Sequence, residues 1–171
     1  MDRIMTTLRR QRTLLGFGLT VALCLTVGAG PWKAGHVAAA TTERVVVDQR
    51  TGLAIHGFDP VAYFTDAEPK IGLPEFELRH GGAAWRFRND GNRAAFADRP
   101  DVYAPRFGGY DPVGIARGAG RDGHPEIWLI VEQRLYLFYS AEARQDFEGN
   151  SAAILSEAED NWADVMRTLA P

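Results

Sequence analysis

Cysteine is almost missing from this 171-residue chain, in which Cys24 is the single thiol. One cysteine excludes a disulfide scaffold and any multi-cysteine zinc site. A surplus of positive charge is missing as well. Nineteen Lys and Arg stand against 22 Asp and Glu, for a formal net charge of −3. The broad basic surface of a nucleic-acid-binding protein is therefore not indicated. No serine sits in a G-x-S-x-G elbow, no histidine belongs to an H-E-x-x-H pair, and no Walker-type Gly-Lys-Ser/Thr occurs. The local marks of serine hydrolases, zinc proteases and P-loop enzymes are thus absent. What is present is a 46% hydrophobic composition over one domain's length. That suffices for a buried core and does not describe a disordered chain.

The first forty residues form a separate unit of composition. Arg3, Arg9, Arg10 and Arg12 precede an uncharged, mostly apolar run over residues 13–30, and Ala38-Ala39-Ala40 follows before Thr41. A basic start, an apolar middle and an A-x-A end describe a secretory signal peptide over residues 1–40. A retained membrane anchor is the alternative, because a run of ~18 residues reaches the lower limit for spanning. Gly16, Gly18, Gly28 and Gly30 dilute the run and the A-x-A site follows it, which favours cleavage. The export route stays open. Cleavage leaves 131 residues with 14 bases, 21 acids and no cysteine. The expectation is a periplasmic or secreted acidic domain without thiol chemistry, nucleic-acid partner or membrane attachment.

Beyond the leader no internal repeat is evident. Residues 41–54 read as an exposed lead-in in which Val45-Val46-Val47 can pair as a short strand, and residues 55–171 as one domain. Phe76 to His80 and Ala84 to Phe87 alternate in polarity around Gly81-Gly82, which predicts a β-hairpin. Asn89-Asp90-Gly91 starts a short helix that Arg99-Pro100 ends. A second hairpin, residues 127–131 and 135–139, is nearly continuously apolar and so predicts the central, two-sided part of a sheet. Ser140 caps a helix through Glu148, and a last helix runs from Asn150-Ser151 to about Leu169. Its stripe is Leu155, Ala158, Trp162, Val165 or Met166, and Leu169. The fold class is α+β: a small antiparallel sheet built from hairpins, with short helices and a C-terminal amphipathic helix packed on it.

Two segments combine glycine, aromatic and carboxylate side chains, and they form the candidate ligand-binding face. One is His56-Gly57-Phe58-Asp59-Pro60-Val61-Ala62-Tyr63; the other is Phe107-Gly108-Gly109-Tyr110-Asp111-Pro112. Five residues carry the reading: His56, Asp59, Tyr63, Tyr110 and Asp111. Asp59 is a base or ligand in one reading, and a turn residue that accepts backbone N–H groups in the other. The glycine-rich loop is a pocket wall or a long surface loop with tucked aromatics. His80 and His124 read as solvent-facing. A metal site requires at least three of Asp59, His56, His80, Asp111 and His124 to converge. An enzyme requires Asp59 or His56 in a pocket with a shifted pKa.

Several segments, in this order, resemble exported bacterial YHS-domain proteins. Gly57-Phe58-Asp59-Pro60-Val61-Ala62-Tyr63-Phe64 is similar to the family's GYDPVAYF opening. Trp85-Arg86-Phe87, Asn92-Arg93-Ala94-Ala95-Phe96 and Pro100-Asp101-Val102-Tyr103-Ala104-Pro105 look like its next stretch. Phe107-Gly108-Gly109-Tyr110, Leu135-Tyr136-Leu137 and Ala158-Glu159-Asp160-Asn161-Trp162 resemble its later blocks, so the likeness covers residues 55–162. YHS domains are linked to metal binding through cysteines, and the resemblance implies such positions here. They hold Ala62, Arg88, Asn92 and, after Gly108-Gly109-Tyr110, Asp111. Losing every thiol removes the soft ligands. The resemblance therefore implies an exported binding module with no evident catalytic machinery and no cofactor. Its partner would be a protein or small molecule of the periplasm. Metal delivery through Asp and His ligands, and a small acid/base enzyme, are the alternatives.

Overall fold

The same chain path is traversed twice in residues 44–169, the part of the protein that the computed structural model describes. The leader expected over residues 1–40, with Cys24, lies outside the described residues. The first passage comprises a 3-10 turn (Ile55–Gly57), α1 (Ala62–Thr65), a hairpin of β1 (Leu73–His80) and β2 (Ala83–Phe87), and α2 (Asp90–Asp98). A short α3 (Pro100–Tyr103) leads into the second passage. There the order is a 3-10 turn (Arg106–Gly109), α4 (Pro112–Ala116), a hairpin of β3 (His124–Val131) and β4 (Arg134–Phe138), and α5 (Ala141–Thr168). The α+β class is as expected, with each hairpin its own two-stranded antiparallel sheet and the C-terminal helix packed against them.

Equivalent residues lie 52 apart through the bodies of α1 and α4, as Asp59 and Asp111 do, and 51 apart from the C-caps Asp66 and Arg117 on, as Trp85 and Tyr136 do. The correspondence extends to register. β1 pairs Leu73 with Phe87 and, after a bulge, Glu77 with Arg86; β3 pairs His124 with Phe138 and, after a bulge, Trp128 with Leu137. Both hairpins turn through two residues at positive φ, Gly81-Gly82 and Glu132-Gln133, the conformation that matches strand twist. Asn89 caps α2 by accepting from the Asn92 N–H, and Ser140 caps α5 by accepting from the Ala143 N–H. Gly72 and Gly123 mark the same crossing. A Cβ on Gly72 would lie 2.4 Å from the Arg86 carbonyl carbon, and one on Gly123 2.6 Å from Leu137 Cβ. This repeat corrects the expectation of none. Residue identity survives mainly in Gly57-Phe58-Asp59-Pro60-Val61 against Gly109-Tyr110-Asp111-Pro112-Val113, while elsewhere only burial and chain geometry are kept.

Each passage builds its own core from matching positions. Ile55, Val61, Tyr63, Trp85, Phe87 and Phe96 belong to the first cluster; Phe107, Val113, Ile115, Tyr136, Phe138 and Phe147 stand at the same places in the second. Phe96 lies 4.8 Å from the Trp85 ring and 5.3 Å from Phe87, and Phe147 lies 5.3 Å from Tyr136 and 5.1 Å from Phe138. The second hairpin is two-sided, but it is not the centre of a larger sheet. Leu135, Leu137, Trp128 and Ile130 face the first cluster, while Tyr136, Phe138, Ile127 and Leu129 face the second. With side chains alternating along a strand, continuous apolarity serves a wall between two cores.

Two further expectations need revision. The lead-in is not wholly exposed: Val46, Leu53 and Ala54 are buried. Val46 donates to Gly108 O at 2.9 Å and accepts from the Ile55 N–H at 2.8 Å, which ties this strip to both 3-10 turns. The two C-terminal helices are segments of α5 on either side of a break at Asn150, where φ is −153° and ψ 45°. The expected stripe places Ala158 and Val165 in the core, with Leu155 and Trp162 packed against it.

Candidate functional site

Asp59 and Asp111 are the two buried carboxylates among the described residues, 0% and 2% exposed. They occupy the same place in the two passages, just after the left-handed turn. Asp59 donates its N–H to Lys70 O at 2.8 Å, and Asp111 donates its N–H to Arg121 O at 2.8 Å. Each carboxylate turns back on the chain: Val61 N–H donates to Asp59 Oδ1 at 2.8 Å, and Val113 N–H to Asp111 Oδ1 at 3.0 Å. Asp-Pro sequences favour this Asx geometry, in which a short side chain replaces a backbone acceptor.

The two differ in how they are finished. Asp59 also accepts from the Ala62 N–H at 3.3 Å, the Arg88 N–H at 2.7 Å and the Asn92 side-chain amide at 2.7 Å. With both oxygens on internal donors it has no face left for a substrate proton. Asp111 interacts with the backbone N–H groups of Val113, Gly114 and Tyr139. Among the described residues no side-chain donor reaches it, because the position of Asn92 is taken by Ala143. Burial pushes its carboxyl above the usual aspartate value, against the opposing pull of those N–H groups and of Arg117.

The space left by the shorter side chain belongs to a cavity of about 190 Å³, lined by Asp111, Arg117, Arg121, Tyr139, Glu142 and Ala143 among others. Its rim is rearranged too. In the first passage Asp66, the C-cap of α1, holds Lys70 at 2.8 Å. The corresponding positions, Arg117 and Arg121, are both arginine. Arg117 reaches Asp146 of α5 at 3.0 Å, and Arg121 lies over the Tyr139 ring at 5.1 Å. Glu142 sits in the first turn of α5, where its own backbone N–H and the Ser140 hydroxyl hold its carboxyl below the usual value.

The five residues chosen from sequence do not form one face. His56 is exposed, with Nδ1 3.9 Å from Asp48 Oδ2. Tyr63 is buried and donates from its hydroxyl to Pro125 O at 2.9 Å; burial foremost, then Asp59 and Glu126, hold that hydroxyl well above the normal tyrosine range. Tyr110 is half-buried against Trp162, with ring centroids 5.8 Å apart. Asp59 seals its own turn, so Asp111 alone reaches the cavity. His80 and His124 are exposed, and His80 stacks edge-on against Phe96. No three His, Cys, Asp or Glu side chains come together at metal-ligating distance among the described residues.

Arg117, Arg121 and Ala143 were not singled out from the sequence. The signal that finds them is the comparison of one passage with the other. Gly118-Ala119-Gly120-Arg121-Asp122-Gly123 has G-x-G-x-x-G spacing, but it runs from α4 into β3, the reverse of the strand-to-helix setting that a dinucleotide fingerprint requires. Compared with protein-family models, with curated proteins and with solved structures, the chain finds no match.

Proposed function

We propose that this protein is an exported, non-catalytic YHS-like binding module whose ligand site is the Asp111 cavity. One observation carries the reading: of two equivalent buried carboxylates, Asp59 is closed by an internal amide and Asp111 opens onto a cavity. Asp111 accepts from backbone N–H groups but lacks the further side-chain donor that Asp59 has in Asn92, so a ligand donor has room to take that place. At about 190 Å³ the cavity is smaller than the ~300–1,000 Å³ typical of drug-sized ligands, so it fits a small polar molecule. The exported location rests on the basic-apolar-alanine pattern of residues 1–40, and the family reading on the ordered blocks over residues 55–162. Acid/base catalysis is disfavoured because Asp59, its strongest candidate, is saturated with internal donors.

The test is a thermal-shift screen of small polar metabolites against the wild type and Ala143→Asn, which places the missing amide in the cavity. Compounds that stabilise the wild type and leave the variant unchanged support the site. A screen in which every hit acts equally on both proteins refutes it.

A further inference from the structure

The first passage shows what a closed version of the site contains. There the carboxylate receives an N–H donor from Asn92 and the neighbouring cation receives a carboxylate from Asp66. The second passage has neither partner. Ala143 replaces the donor, Arg117 replaces the acid and turns to Asp146, and the Arg121 guanidinium lies over the Tyr139 ring and has no carboxylate partner among the described residues. Glu142 and Asp146 do not fill the gap: the first is held at the helix start, and the second is paired with Arg117. Within one small cavity, a carboxylate lacks a side-chain donor and a guanidinium lacks an anion.

Resting on the reading of this cavity as a ligand site, we propose that its ligand is a small zwitterion of the amino-acid class. The ammonium donates to Asp111 in place of the Asn92 amide, and the carboxylate pairs with Arg121 in place of the Asp66 carboxylate. Tyr139 holds the guanidinium over its ring, which limits the freedom Arg121 loses on binding. Small size follows from the volume of about 190 Å³. Charge-assisted pairs at both ends also give selectivity, since a molecule with one end leaves the other partner unpaired.

Calorimetric titration of the full chain with glycine, L-alanine and L-serine, and separately with methylammonium and acetate, tests this. The amino acids are expected to bind, with methylammonium and acetate at least tenfold weaker. Arg121→Gln and Ala143→Asn are each expected to weaken amino-acid binding at least tenfold. Neither substituted side chain is a hydrogen-bond partner of Asp111 in the wild type, and a thermal melt of each variant checks that it folds. Methylammonium binding as tightly as the amino acids, undiminished in Arg121→Gln, overturns the two-ended ligand. Other metabolites binding the wild type but not Ala143→Asn, with no amino acid doing so, overturn the zwitterion and leave the cavity reading standing. No compound distinguishing wild type from Ala143→Asn overturns both.

Discussion

Replacing Asn92 by alanine copies into the first passage the difference that opens the second. The Asn92 amide donates to Asp59 Oδ2 at 2.7 Å, and Asp59 is fully buried. A hydrogen bond to a charged group contributes about 1.5–3 kcal/mol. Asn92 is half-buried, so water can enter behind a shorter side chain and recover part of that loss. The expected destabilisation of Asn92→Ala is therefore about 2 kcal/mol, or a fall in Tm of about 8 °C at about 4 °C per kcal/mol for a domain of this size. Urea unfolding followed by tryptophan fluorescence reads it, since Trp85 is buried and Trp128 packs against the same core. The mirror variant, Ala143→Asn, supplies a donor to Asp111 where space exists and is expected to change stability by less than about 0.5 kcal/mol in the unfavourable direction. An Asn placed in a filled core would instead cost about 1–3 kcal/mol. The two costs must differ. If Asn92→Ala costs under about 0.5 kcal/mol, or Ala143→Asn costs as much as Asn92→Ala, the contrast between a sealed and an open carboxylate is refuted.

Phe96→Ala and Phe147→Ala should each cost about 3–5 kcal/mol, because both rings are fully buried at the same place in equivalent cores; a loss confined to one of them, measured by denaturant unfolding, would contradict that equivalence. Asp111 has a folded-state pKa above its ordinary value, so its contribution to stability is fully present below the unfolded value of 3.8 and lost as pH rises through the raised folded value. The stability of wild type relative to Asp111→Asn should accordingly fall as pH rises from below 3.8 through the raised folded value, and a flat or rising difference would show that burial is not what governs this group. Gly72→Ala and Gly123→Ala should each destabilise by roughly 1–3 kcal/mol or more through overpacking, whereas Gly149→Ala, whose Cβ would meet nothing within 4 Å, should not; thermal melts of the three variants decide it.

Periodicity and end signals in the sequence determined the local structure. Both hairpins, the caps Asn89 and Ser140, the stop at Arg99-Pro100 and the interruption near Asn150 are set by residues close to one another along the chain. Local chemistry offered Asp59 a turn role beside that of a base or ligand, because it precedes a proline, and assigned no turn role to Asp111. The tertiary structure alone decided that the chain follows one path twice, since two passages can share register and core positions while sharing few residues. It decided that the continuous apolarity of the second hairpin faces two separate cores, which strand alternation permits and a one-dimensional pattern does not reveal. It also separated two carboxylates that read alike in sequence. The donor that seals Asp59 comes from α2, 33 residues along the chain, and the lack of its counterpart at Ala143 becomes visible only when the two passages are laid against each other. Burial and hydrogen-bond completion are properties of a folded environment, and they leave the second carboxylate, not the first, open to a cavity.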